Sequence, residues 1–197
     1  MLLPGRLAVV GVAGLLALGL ARLPAADDPP RFSDWSEPVN LGPTVNWPLG
    51  EWFSSVTKDG LSLYFTSDGC VVPTPTCRQG YGGWDIFVSQ RDTLDDPWGP
   101  PQNLGPAVNT PYDEGAPAIS HDGHSLYFSS TRPGGFGGND IYVSRRHNKR
   151  DDFGWQLPEN LGSGVNTTAN ESGPDVFEDE GTGLITLYFD SNRSGCD

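Results

Sequence analysis

Basic residues are scarce in this sequence: 12 Lys and Arg stand against 25 Asp and Glu, a formal net charge of −13. A surface so acidic repels phosphate backbones, and nucleic acid is excluded as an expected partner. The signatures of common catalytic sites are missing too: there is no G-x-S-x-G, no H-E-x-x-H and no phosphate loop carrying a Lys. No catalytic residue, no metal site and no cofactor are therefore expected. Cysteine is rare, at three residues. Cys70 and Cys77 bracket VVPTPT and are expected to form a disulfide in an exported protein, which leaves Cys196 over.

The sequence has a single long apolar run, LAVVGVAGLLALGL from Leu7 to Leu20, too short to span a bilayer comfortably. Arg6 precedes it and Ala25-Ala26-Asp27 lead out of it, so residues 1–26 read as a secretory signal, with an uncleaved anchor as the alternative. No Cys follows the run closely, which gives no support to a lipid-modified N-terminus. The expected location is periplasmic or extracellular, with no membrane span once the signal is removed. Removal takes away Arg6 and Arg22 and no acid, which deepens the net charge from −13 to −15.

What the sequence has in abundance is turn residues, 26 Gly and 18 Pro, placed in register with short apolar runs. The register is a repeat. WSEPVNLGPTVN, WGPPQNLGPAVN and WQLPENLGSGVN begin at Trp35, Trp98 and Trp155 and share Trp, Pro, Asn-Leu-Gly and Val-Asn. Glu51, Glu114 and Glu171 follow at a constant offset, then LSLYFTSD, HSLYFSST and ITLYFDSN. The first two copies run on into GGWDIFVSQR and GGNDIYVSRR, whereas the third stops at SNRSGCD. Extra length in the first copy coincides with CVVPTPTC, an inserted loop with its own clip.

Each unit offers four short strands: one like EGAPAIS, one like SLYFSS, one like DIYVSR, and the stretch around QNLG. Leu-Tyr-Phe and Ile-Tyr-Val are apolar on both faces, which suits a sheet sandwiched between neighbours. The fold class expected for residues 27–197 is therefore all-β, a β-propeller of four-stranded antiparallel blades. With at most about three blades where propellers typically have four to eight, it is incomplete: a fragment of a longer product, or a unit that completes a ring by self-association. The glycine pairs make turns, and Asp85 and Asp140 are expected to bind backbone N–H groups there. HDGH, residues 121–124, corresponds to KDGL in the first copy and reads as a hairpin turn and not as a metal site. RRHNKR, residues 145–150, reads as a solvated loop.

The pattern W-x-x-P-x-N-L-G-x-x-V-N, E-x-x-P, D-G-x-x-L-Y-F-x-S-x-R-x-G-G and D-I-Y-V-S resembles the WD40-like β-propeller repeat of TolB-type periplasmic proteins and of envelope proteins bearing peptidoglycan-associated domains. The likeness covers nearly everything from Trp35 onward. It implies a non-catalytic propeller that binds an envelope protein or a cell-wall component.

In a propeller the first strand of each blade lines the central channel, which would set Glu51, Glu114 and Glu171 at equivalent heights around it. They would either bind a cation or a basic segment of a partner, or hydrogen-bond locally as part of the blade. Trp47, Trp52 and Phe53 occur only in the first repeat and form an aromatic wall beside that mouth, or else pack on a missing blade. Two other classes of function remain: a glycosidase-like, carbohydrate-active propeller, for which no pair of carboxylates stands out, and a purely structural assembly module.

Overall fold

Glycine and proline punctuation breaks the chain into short extended segments, and in the computed structural model these are the only regular elements among the described residues. The structure describes residues 36–48, 50–72, 74, 77–179 and 181–195. The expected signal at 1–26, Trp35 and Cys196 lie outside the described residues. Every strand belongs to one compact unit, Val39–Asp197. Among the described residues there is no helix, and none long and apolar enough to cross a membrane.

Eleven strands occur among the described residues: β1 (Glu51–Val56), β2 (Ser62–Cys70), β3 (Arg78–Gln79), β4 (Trp84–Gln90), β5 (Gln102–Asn103), β6 (Glu114–Ile119), β7 (Ser125–Ser130), β8 (Asp140–Arg145), β9 (Glu159–Asn160), β10 (Glu171–Asp179) and β11 (Leu184–Ser191). The class is all-β, as expected. The strands make three antiparallel meanders: β1-β2-β4-β5, with β3 paired parallel to β2; β6-β7-β8-β9; and β10-β11. The register is the same in each. Glu51 pairs with Ser67, Glu114 with Ser130 and Glu171 with Ser191, and each first strand then carries a bulge before pairing resumes.

The sequence motifs explain themselves in these contacts. In N-L-G-x-x-V-N the first Asn braces the loop: Asn103 Oδ1 accepts from Gly105 N–H at 2.9 Å and from Asn109 Nδ2 at 2.8 Å. The second Asn acts as one more rung of sheet, since Asn109 accepts from Ile86 N–H and donates to Ile86 C=O, both at 2.9 Å. Asn160 and Asn166 repeat this arrangement on Ile141. The recurrent Trp is a lid for an arginine, with Arg91 4.4 Å above Trp98 and Arg146 4.3 Å above Trp155.

Alternation along β2 and β4 gives the first sheet two apolar faces. Leu63, Phe65 and Phe87 pack with Val45 and Trp98 on one side. On the other, Tyr64, Ile86 and Val88 meet Leu126, Phe128 and Tyr142 of the second sheet. Each such fully buried aliphatic or aromatic side chain stabilises by about 1.5–3 kcal/mol. A polar clamp crosses the same boundary: Asp152 accepts from Tyr64 and Arg146 at 2.5 Å, from Ser62 at 2.6 Å and from Gln90 at 2.7 Å. The third sheet has no such cover among the described residues. Tyr188, which occupies the place of the fully buried Tyr64, is 60% exposed, and Phe177, Leu184 and Ile185 are exposed with it.

The paired glycines differ from the sequence reading. Gly82 and Gly83 take positive φ (131° and 64°), but Gly137 and Gly138 are not among the positive-φ glycines. Their common requirement is space: a Cβ on Gly83 would strike Asp113, and Cβ atoms on Gly137 and Gly138 would strike Ala169 and Asn170. The pair lets each sheet approach the loop that opens the next.

Candidate functional site

The three repeated glutamates head β1, β6 and β10, and each turns back into its own sheet. Glu114, fully buried, accepts from Thr110 N–H at 2.6 Å and from the hydroxyls of Thr110 and Ser130, both at 2.7 Å. Arg132 Nη2 stands 3.3 Å from the same carboxylate and donates to Val108 C=O at 2.6 Å. Glu171 repeats the cage with Thr167, Ser191 and Arg193, and Arg193 donates to Val165 C=O at 2.6 Å. Burial works to raise the Glu171 carboxyl, and the Ser191 and Thr167 hydrogen bonds with the Arg193 charge overcome it, so it sits below its ordinary value. Of the two arrangements open from sequence, this geometry is the local one: the carboxylates brace the strand entrance.

The first repeat departs from that cage. Trp47 replaces the threonine, so only its backbone N–H reaches Glu51, at 2.9 Å, and its ring lies 4.8 Å beneath Arg78. Arg78 fills the slot of Arg132 and donates to Val45 C=O at 2.5 Å, although the insertion separates it further from Ser67. What returns it there is the Cys70–Cys77 disulfide, Cα atoms 5.9 Å apart, together with the β2–β3 pairing of Gly69 with Arg78. Sequence reasoning missed this arginine triad; the Arg of S-x-R in the repeat was its signal, disguised in the first copy by the insertion.

The bulge after each glutamate carries a second recurring feature. The third residue of each of these strands has positive φ: 49° at Phe53, 52° at Ala116 and 57° at Gly173. The freed N–H crosses to the preceding sheet, from Ala116 to Thr66 Oγ1 at 2.9 Å and from Gly173 to Ser129 Oγ at 3.2 Å. These bonds bring β1, β6 and β10 side by side. Phe53, Trp84, Asp113, Ala116, Ser129 and Asn139 line a cleft of ≈ 160 Å³ among them.

The aromatic residues expected at the mouth are split. Trp52 pairs with Trp84 at 5.7 Å between centroids, their planes tilted by 40°, and Phe53 shares the cleft wall with Trp84. Trp47 lies on the arginine side instead. Trp84 went unnoticed in the sequence, although it too lacks a repeat counterpart: Asn139 stands in its place in the second copy.

Asp85 and Asp140 serve the turns. Tyr81 N–H donates to Asp85 at 2.8 Å and Phe136 N–H to Asp140 at 2.7 Å. Burial pushes the Asp85 carboxyl up to about 6, against the pull of the Tyr81 N–H. In HDGH, Asp122 accepts from Ser120 at 2.6 Å and from His124 N–H at 2.9 Å, a hairpin turn with Gly123 at φ 77°. No cluster of three metal-ligating side chains occurs among the described residues. Comparison with protein-family models gave no match, and neither did comparison with curated proteins.

Proposed function

We propose that the chain is an exported, non-catalytic β-propeller module of TolB-like type that binds an envelope protein or a cell-wall component at the cleft between its first strands. The blade reading is supported by three meanders of one register, whose first strands lie side by side and whose later strands lead away. Export is supported by the Cys70–Cys77 disulfide, which persists in an oxidising compartment.

The observation that carries the binding reading is spatial. Trp52, Phe53 and Trp84 have no counterparts in the second repeat, where Gly115, Ala116 and Asn139 stand, yet Phe53 and Trp84 line one cleft and Trp52 packs against Trp84. The repeat does not require them. A glycosidase would need two carboxylates across the scissile bond; among the described residues Asp113 is the one carboxylate lining the cleft, and its Oδ1 holds Trp84 N–H at 3.0 Å. The test is retention of envelope proteins and of purified cell wall by the immobilised chain. The wild type retains a component, and Trp84→Ala, with unchanged melting, loses it. Equal retention by both, or turnover of a glycoside panel, overturns the reading.

A further inference from the structure

We infer that the occupant of this cleft is a neutral or amino-bearing glycan, an inference that rests on the binding reading above and narrows its ligand class. Three independent features point the same way: the aromatic geometry, the uncommitted polar groups and the charge.

Trp52 and Trp84 are 40% and 44% exposed and Phe53 59%. Trp84 and Phe53 are the exposed aromatic walls of the cleft, and Trp52 packs against Trp84 with ring centroids 5.7 Å apart. An indole face carries negative quadrupole density, and the polarised C–H groups on the face of a pyranose ring are its complement.

The polar groups in the cleft are the mixture that vicinal hydroxyls need. Asp113 uses Oδ1 on Trp84 N–H and keeps Oδ2 as an acceptor. Ser129 accepts from Gly173 N–H through Oγ, and its own hydrogen has no partner among the described residues. Asn139 engages its backbone alone, donating N–H to Asn170 Oδ1 and accepting from Glu171 N–H at its C=O, so its side-chain amide offers both donor and acceptor. All three line the same ≈ 160 Å³ space as Phe53 and Trp84. Among the described residues no Lys or Arg does, and the chain carries −13, so an anionic polysaccharide is repelled while a neutral or aminated one is not.

Phe53 adds a reason to read this surface as selected for contact. Its backbone, at φ 49°, is one that Gly173 adopts without strain at the equivalent position. Ala116 shares that φ, at 52°, so the strained bulge belongs to the repeat, and a bulky, exposed side chain on it is what sets Phe53 apart.

The test is titration of the full chain with soluble chito-oligosaccharides, cello-oligosaccharides and polygalacturonate, followed by indole fluorescence, with glycan strands released from bacterial cell wall as a fourth arm. Saturable quenching by a neutral or amino glycan is expected, at least tenfold weaker in Trp84→Ala and weakened in Asn139→Ala, with melting unchanged. The chitin and cell-wall arms share N-acetylhexosamine chemistry and distinguish its source. No saturable binding of any neutral or amino glycan, while the chain still retains an envelope protein, overturns the glycan assignment and leaves the binding reading in place. Tighter binding of polygalacturonate, or binding indifferent to both substitutions, overturns the assignment as well.

Discussion

Tyr64 and Asp152 share a 2.5 Å hydrogen bond across the boundary of the first two sheets, and Arg146 Nη1 closes the triangle at 3.0 Å from the phenol oxygen. Burial, then the Asp152 charge, drives the phenol's pKa far upward. The carboxylate is the hub, because Ser62 and Gln90 of the first sheet also donate to it.

Asp152→Ala therefore leaves a buried guanidinium without its counter-ion, and the expected loss is about 3–5 kcal/mol. Tyr64→Phe removes one hydrogen bond to a charged group and should cost about 1.5–3 kcal/mol. Urea unfolding of both variants checks the order. In an alkaline ultraviolet titration Tyr64 should remain protonated beyond the ordinary tyrosine range.

Cys70→Ser with Cys77→Ser should lower stability by up to about 2.5 kcal/mol, the chain-entropy value for so short a loop. The more specific consequence is the release of Arg78 from Val45 and Trp47, visible as a change in near-ultraviolet circular dichroism. Peptide mapping without reductant should recover Cys70 linked to Cys77.

Phe53→Gly should raise the denaturant midpoint, by about 1 kcal/mol once the loss of left-handed strain is set against the entropy of glycine. The same substitution should weaken retention of the cleft's ligand. A variant both less stable and fully binding would contradict the strain and the contact together.

The Asp85 carboxyl titrates near 6 when folded and at 3.8 in its ordinary setting, so between those values the folded state holds the extra proton. Its contribution to stability is complete below about 3.8 and is lost as pH rises through about 6. Glu171 works in the opposite sense: its lowered value stabilises above its ordinary range, and that support is lost as pH falls through the folded value. Asp85→Asn, which mimics the protonated acid, should remove the fall in melting temperature between pH 4 and 6, a slope that wild type keeps.

The sheets were legible in the sequence because their signals are local. Alternating apolar pairs such as Tyr64 and Phe65, Asp-Gly turns and recurring N-L-G loops each act within a few residues. The contact of Trp52 with Trp84 was not legible, since it depends on the register in which β1 and β4 flank β2. The glutamates show a different limit. Their constant offset is visible, but whether Glu114 points to a channel or into its own sheet depends on Thr110, Ser130 and Arg132, of which two lie across the hairpin. Of the aromatic departures from the repeat, Phe53 lines the cleft and Trp47 does not, and the same comparison applied to Asn139 would have added Trp84.

The bond from each bulge to its neighbouring sheet runs one way: a bulge N–H on the later sheet enters an oxygen on the earlier one, Ala116 onto Thr66 and Gly173 onto Ser129. Asp190 occupies the place of Thr66 and Ser129 on the third sheet, and as a carboxylate it can only accept. The array is therefore vectorial, like a filament with unlike ends, and a sheet turned over would set donor against donor. Greasy faces alone would tolerate that inversion. Direction is written into the backbone at one positive-φ residue per repeat, so these units should tolerate transplantation head to tail and resist every other order.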